Sequence, residues 1–446
     1  MDKVKKLIVL AVALLLGGVA AFAEGDGTFS GYTPYSVYGV GMLTNEGSAF
    51  NASMGGVGIA TRNKRFMNFL NPASVTARDT LSFMADFSVS GRFSYYGQGN
   101  IKSVHNTFNI NDFALSFPVY RSSAMMVGIA PFSSVGYDFS TTTTDPLRLA
   151  LQGASTERAK GNGGLYQVFV GAGVTFWKRL SIGAEYIFYF GKISRKVSID
   201  YEEDAMLDQE SGYNIQARAH GAKFGLQYEQ PLGKRSTLTL GATYRMQARM
   251  GGHMTDYSFA SDGSSTDTLR FNQYQLRKDA KIFLGDEIGV GASYKYGDML
   301  VFEFDYTRSN WKSSGFSNTS ADVYNAFSNI IDGNNVFTSG ISHAFRFGAE
   351  YTPGRNDIRY YYKRCTYRAG AYYTTSYYRF NDRPINSWGI TFGATLPIFK
   401  AYNGLTLGAE VGQTGTKKNG GIRETYFGLN LGFNIFDIWF QKPRYE

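Results

Sequence analysis

From Thr80 onward the chain repeats one pattern, and that pattern decides what it can fold into. Apolar side chains alternate with polar or glycine positions, segment after segment. Leu238, Leu240, Ala242, Tyr244 and Met246 alternate with Thr239, Gly241, Thr243 and Arg245. Tyr166, Val168, Val170, Ala172, Val174 and Phe176 do the same, with Phe169 the exception on the other row. Period two is the mark of a strand with one apolar face. No run of about 18 apolar residues follows the first 23 positions, so the chain has no helix of membrane-spanning length there. Aromatic residues nevertheless reach 16%, with 52 Gly and only 10 Pro. Abundant aromatics and alternation without apolar runs suit an all-β, transmembrane, antiparallel β-barrel of about 14 strands. A soluble sandwich or propeller would not keep so many strands uniformly alternate.

The expected strands run from 80–92 to 422–435, the third at 124–139 and the eleventh at 357–371. Short turns, such as Lys178-Arg179 and Gly297-Asp298, alternate with long polar loops at 139–162, 191–212, 251–279 and 310–341. Short turns mark the periplasmic end of a bacterial barrel and long loops the outer end. On that count both termini are expected in the periplasm. Trp177, Tyr189, Trp311, Trp388 and Trp439 are candidates for the aromatic girdles at headgroup level.

Before the barrel, residues 1–23 read as a secretory signal: Lys3, Lys5 and Lys6, an apolar run from Leu7 to Leu16, then Ala21-Phe22-Ala23. Residues 24–79 are expected to be a periplasmic and plug segment, 80–440 the barrel and 441–446 a short tail. The stretch from Asn51 to Asp79 is rich in small residues and carries Asn71, Pro72 and Ala73. It fits neither the signal nor the alternating strands, and it reads as the inner part of a plug in the lumen. Its GGVG run lacks the following Lys and Ser/Thr of a phosphate loop, so close backbone packing accounts for those glycines. The formal charge is +9, spread along the chain. An outer-membrane lipid surface, not nucleic acid, is the expected partner for it.

Little here carries chemistry. There are four His and one Cys; none stands at a metal-ligand spacing, so no catalytic residue, metal or cofactor is expected. The acidic loop Asp200 to Glu210 lacks the Gly and spacing of a calcium loop. Glu185, Lys223, Glu229, Arg245, Glu303, Asp305, Arg346, Glu350 and Glu410 fall on inward rows. A basic group facing hydrocarbon would cost about 2–4 kcal/mol, so these charges belong to the lumen, paired with one another or with the plug. In Met125 to Phe139, Pro131 has no ladder donor, and the strand must bulge or break there. With Gly128 and Phe132 beside it, such a break can open the wall toward the bilayer. The segment Arg359 to Phe380 is dense in Tyr and Arg, which suits stacked ladders near the outer rim or a docking surface.

Taken together, the signal, the small-residue stretch leading to Asn71-Pro72-Ala73, the strand count and a third strand kinked at Pro131 resemble the FadL/TodX group of outer-membrane transporters for hydrophobic compounds. The ending Trp439-Phe440-Gln441-Lys442 resembles divergent members from the Bacteroidetes lineage. The resemblance implies passive uptake of long-chain fatty acids or aromatic hydrocarbons, with lateral exit at strand three. It places Asn71, Pro72 and Ala73 near the Pro131–Phe132 kink. It also implies an alternative, because related barrels of that lineage act as partner subunits of a secretion system.

Overall fold

Fourteen strands pair antiparallel in sequence order and close on themselves. The computed structural model describes residues 31–78, 82–120, 122–203, 206–279, 281–316, 337–380, 382–398, 404–418 and 421–438. The expected signal (1–23), Trp439 and the tail (441–446) lie outside them. The barrel strands are β1 Ser82–Gln98, β2 Ile101–Tyr120, β3 Ser123–Thr142, β4 Ser155–Phe176, β5 Leu180–Tyr201, β6 Asp208–Pro231 and β7 Ser236–Arg245. They continue as β8 Asp286–Tyr296, β9 Leu300–Asn310, β10 Ile341–Tyr351, β11 Thr366–Phe380, β12 Arg383–Pro397, β13 Gly404–Gly415 and β14 Arg423–Ile438. Closure comes from the ladder between β14 and β1, where Ile438 opposes Ser82 and Arg423 opposes Gly97.

Alternation sets which side chains face out. Trp388, Ile390 and Phe392 on β12 are exposed, as are Leu240 and Tyr244 on β7, while their neighbours Thr391 and Thr243 are buried. The exposed rows make the apolar band that a lipid bilayer covers. About 9–11 residues suffice to cross a bilayer as a tilted strand. Strands β2 to β6 have 20 to 24 residues, so their outer parts stand clear of the membrane.

Several expectations are corrected. The eleventh strand is not 357–371 but Thr366–Phe380. Residues 352–365 instead form a folded turn, because Asp357 Oδ1 takes the backbone N–H groups of Arg359 and Tyr360 and bends the chain. Arg359 to Arg364 therefore sit at the short-turn end, away from the outer rim. The stretch 251–279 is no loop: Gly251–Ser261 and Thr266–Gln275 form a hairpin, and its first strand extends the ladder on β6. Outside the membrane a strand needs no apolar row, so the alternation that signals strands is lost there. Among the girdle candidates, Tyr189 and Trp311 are buried inside, while Trp177 is exposed at a turn.

The first and the last described residues lie at opposite ends of the barrel. Tyr32 lies against Tyr96 and His105, near the β1–β2 tip, and its hydroxyl donates to Asp138 O at 3.1 Å. Ile438 lies beside Ser82, at the other end of β1. The reason is that the N-terminal segment runs the length of the barrel before β1 begins.

Candidate functional site

The interior is built around residues 31–78. Val40, Asn51, Val57, Ala60 and Asn71 are among the most deeply buried residues of the protein. A short helix, Ala49–Ala52, is followed by a glycine-rich turn and then a 3-10 helix, Pro72–Ala77, which Asn71 caps through its Oδ1 to Ala73 N at 3.0 Å. The wall yields space for this backbone through glycine. A Cβ at Gly183 would fall on Pro72 and Ala73, and one at Gly241 on Ile59 and Ala60. The inward glycines are a socket for the plug, in close contact with its main chain.

Polar side chains of the wall then latch it. Asp305 accepts from Gly58 N at 2.6 Å and Ile59 N at 2.9 Å. Glu303 accepts from the hydroxyls of Thr61 and Ser293. Glu229 lies 3.6 Å from Arg62. Lys223 Nζ is 3.0 Å from Glu46, which also pairs with Arg245; Arg245 reaches Glu287 at 3.1 Å. Burial works to raise the Glu46 carboxyl, but the charges of Lys223 and Arg245 outweigh it and hold the group down at about 2. Glu185 is buried near the same cluster, with one oxygen lacking a hydrogen bond among the described residues. Arg346 bonds Thr307, Glu350 pairs with Arg368 at 2.9 Å, and Glu410 lies 3.6 Å from Arg92. Glu46, Arg62 and Arg368 were not singled out from the sequence. Single charges in a small-residue stretch, or in a Tyr/Arg run, carry no spacing that marks them.

Asn71, Pro72 and Ala73 wedge between the inner segment and β5 to β7. Asn71 Nδ2 donates to Ile59 O at 2.8 Å and sits 3.3 Å from Leu226 O. The triplet is not beside the Pro131–Phe132 kink. Its wall contact Gly173 and the rung opposite Pro131, Tyr166, lie seven residues apart on β4, or about 23 Å along a strand. The motif's requirement is a capped helix start against glycine, and β5 and β6 supply that.

β3 keeps its ladder with β4 past Pro131 by a one-residue bulge: Pro131 opposes Tyr166 and Ser133 opposes Leu165. The bulge turns Phe132 inward, edge-on to Tyr189 at 4.8 Å and near Arg245. Gly128 lies below it, packed on Phe169 and Ala114. On its other side β3 parts from β2, and Phe113–Ile129 is the last rung. Above that rung the described residues include no ladder between β2 and β3. The N-terminal segment fills the seam instead. Met42 and Leu43 pair with Ser134 and Ser133. Thr44 N donates to Phe132 O at 3.0 Å, and Thr33 N to Gly136 O at 2.8 Å. Tyr32 closes the upper part by stacking on His105 of β2 at 3.5 Å. Arg195 holds the segment from behind, donating to Ser36 O at 3.1 Å and Gly39 O at 3.0 Å.

A small cavity of about 140 Å³ lies between the inner segment and the wall, bordered by Glu46, Phe132, Lys223, Arg245, Glu287 and Arg346. Its lining mixes charged side chains with Leu43, Ile59 and Leu70. Tyr372 and Tyr377, from the Tyr/Arg-rich segment, point inward: Tyr372 bonds Glu410 and Tyr426, and Tyr377 stacks on Trp311 at 4.4 Å.

Solved structures share this architecture. The monoaromatic hydrocarbon channel CymD matches with a TM-score of 0.56 at 13% identity, over 87% of this chain and 97% of that one. The toluene transporter TbuX of Ralstonia pickettii matches at 0.55 and 14%, over 87% and 98%. A FadL homologue of Pseudomonas aeruginosa matches at 0.51 and 12%, over 93% and 100%. At such identities the likeness establishes the fold alone, a FadL/TodX-like β-barrel. A search of curated proteins finds no match. The profile of the BamG family matches residues 3–446, nearly the whole chain, and the protein belongs to that family.

Proposed function

We propose that the protein is a plugged, non-conducting outer-membrane barrel that acts as a partner or scaffold subunit of a surface-assembly or secretion complex. The observation that carries this reading is the filled lumen. Pockets that take drug-sized ligands, the size class of a long-chain fatty acid, have volumes of about 300–1,000 Å³ and mostly apolar walls. The cavity between plug and wall is about 140 Å³, and Glu46, Lys223, Arg245, Glu287 and Arg346 stand on its border beside Leu43, Ile59, Leu70 and Phe132. An apolar solute entering it would strip water from charges and offer them nothing in return. Meanwhile the outer hairpin presents Leu269 and Phe271, both exposed, on a strand whose second edge is unpaired among the described residues. An open strand edge with apolar side chains is a template for another chain. Photocrosslinkers at Leu269 and Phe271 in intact cells are expected to trap a discrete protein adduct. No adduct at either position, together with poor growth of a deletion strain on oleate or toluene, would overturn the reading.

The seam favours a second reading: passive uptake of small hydrophobic compounds, with lateral exit between β2 and β3 at Gly128, Pro131 and Phe132. It is supported by the parting of β3 from β2 after Ile129, where among the described residues the N-terminal segment spans the gap. In that case the lumen charges, Glu185 to Glu350, hold the plug in a closed state. Normal uptake of oleate and aromatics by a deletion strain would sink it. Under both readings the short turns and the C-terminal end of β14 face the periplasm.

A further inference from the structure

We propose that the short-turn end carries a binding collar for anionic phospholipid headgroups, centred on the insert between β10 and β11. The proposal stands independently of what the lumen does. Most described connections at this end are tight: Trp177 to Arg179, Leu232 to Arg235, Gly297 to Met299. The insert is different, running from Thr352 to Cys365. It is folded. Gly354 N donates to Lys363 O at 2.8 Å, and Tyr361 Oη donates to Pro397 O at 2.9 Å.

Its fold is held against the lipid-facing wall. Tyr367 belongs to the outward row of β11, between buried Thr366 and Arg368, and its hydroxyl donates to Tyr362 O at 3.0 Å. That bond fixes the insert beside the apolar band, continuous with the surface that lipid covers. There it exposes Ile358, 99% accessible, together with Tyr360 and Tyr362. Around these rings stand cations: Lys363 lies 4.7 Å from the Tyr360 ring, Arg359 5.2 Å from it, and Arg364 5.0 Å from the Tyr361 ring. Arg355 and Lys363 have carboxylate partners, Asp298 and Asp357. Arg359 and Arg364 are exposed and meet no carboxylate among the described residues.

Two other turns repeat the combination on a smaller scale. Trp177 precedes Lys178 and Arg179, and Leu232 precedes Lys234 and Arg235, all exposed. Amphipathic rings settle at headgroup level. Unpaired guanidinium groups at that depth match phosphate in bidentate geometry. Short turns face the periplasm in bacterial barrels, and the leaflet on that side is the phospholipid one. An acidic soluble partner would also meet the charge. It would not account for the tether to Tyr367 or for Ile358 and the tyrosines at the bilayer edge.

The test uses the full-length protein purified in mild detergent. Native mass spectrometry would count retained lipid during titration with phosphatidylglycerol or phosphatidylcholine. Phosphatidylglycerol is expected to be retained preferentially, and Arg359→Glu with Arg364→Glu is expected to weaken that retention by about tenfold or more. The heat-dependent gel mobility of the folded barrel should be unchanged. If the double reversal does not fold, Arg359→Gln with Arg364→Gln gives the same readout. Equal retention of both lipids, or retention untouched by either double variant, would overturn the proposal. So would displacement of phosphatidylglycerol by inorganic phosphate at equal concentration. Capture of an acidic protein through the insert without any lipid preference would also overturn it.

Discussion

Glu46 is the plug carboxylate that meets two buried cations of the wall, Lys223 and Arg245. Removing one member of a buried ionic group leaves the others unpaired, at a cost of about 3–5 kcal/mol. Glu46→Gln should therefore loosen the inner segment by about that amount, read as faster proteolysis within residues 31–78 while the barrel stays intact. The acid response has a definite direction. The Glu46 carboxyl is held at about 2, below the 4.5 of a free glutamate. Its contribution is complete above 4.5 and is lost as pH falls toward 2. Pepsin should spare the inner segment at pH 4.5 and cut it near pH 2. In Glu46→Gln that difference should shrink, and an unchanged profile would remove Glu46 from the latch. None of this was legible from residue types. The inward row announced charges on the wall, at Glu229, Arg245, Glu303 and Asp305, but not the plug groups that meet them. A partner hundreds of positions away leaves no local signal.

Among the elements, the N-terminal segment has the most unusual task. Residues 32–44 lie along the free edge of β3 and complete a wall that β2 and β3 leave open. Deleting residues 31–44 is expected to unseal that seam and raise cell uptake of an apolar fluorescent dye several-fold, with barrel assembly preserved. Unchanged uptake would mean that the wall closes without the segment. Pro131 signalled a local disturbance through its missing donor. The proline's effect stayed local, as a one-residue bulge toward β4. The separation occurs on the opposite edge, toward β2, and is filled by a stretch with no strand pattern of its own. The insert at 352–365 interrupts the strand expected over 357–371 for a related reason. A run of Tyr and Arg has strand propensity, and a side-chain turn at Asp357 overrides it.

For the whole molecule, the glycine-lined wall packed on plug backbone acts as a seal under the proposed non-conducting reading. The purified protein should show no steady conductance in a planar bilayer, and removal of residues 45–78 should produce an ion-conducting pore. Steady conductance of the intact protein would contradict a filled lumen. The long strands β2 to β6 have a structural consequence as well. With 20 to 24 residues each they continue the wall beyond the membrane, where the hairpin at 251–275 stands against β6.

The sequence by itself determined the barrel, its antiparallel order and nearly all of its strand positions. Each follows from short-range pattern: period two sets the face, and turn residues set the reversals. It also determined that the stretch around Asn71-Pro72-Ala73 stands apart from the strands. Only the tertiary structure decided what the inward row is for. Glycine and threonine at alternate positions suit a watery lumen and a packed socket equally well, since both forbid large apolar side chains. The choice depends on whether a distant backbone occupies the space, and Pro72 against Gly183 and Ile59 against Gly241 show that one does.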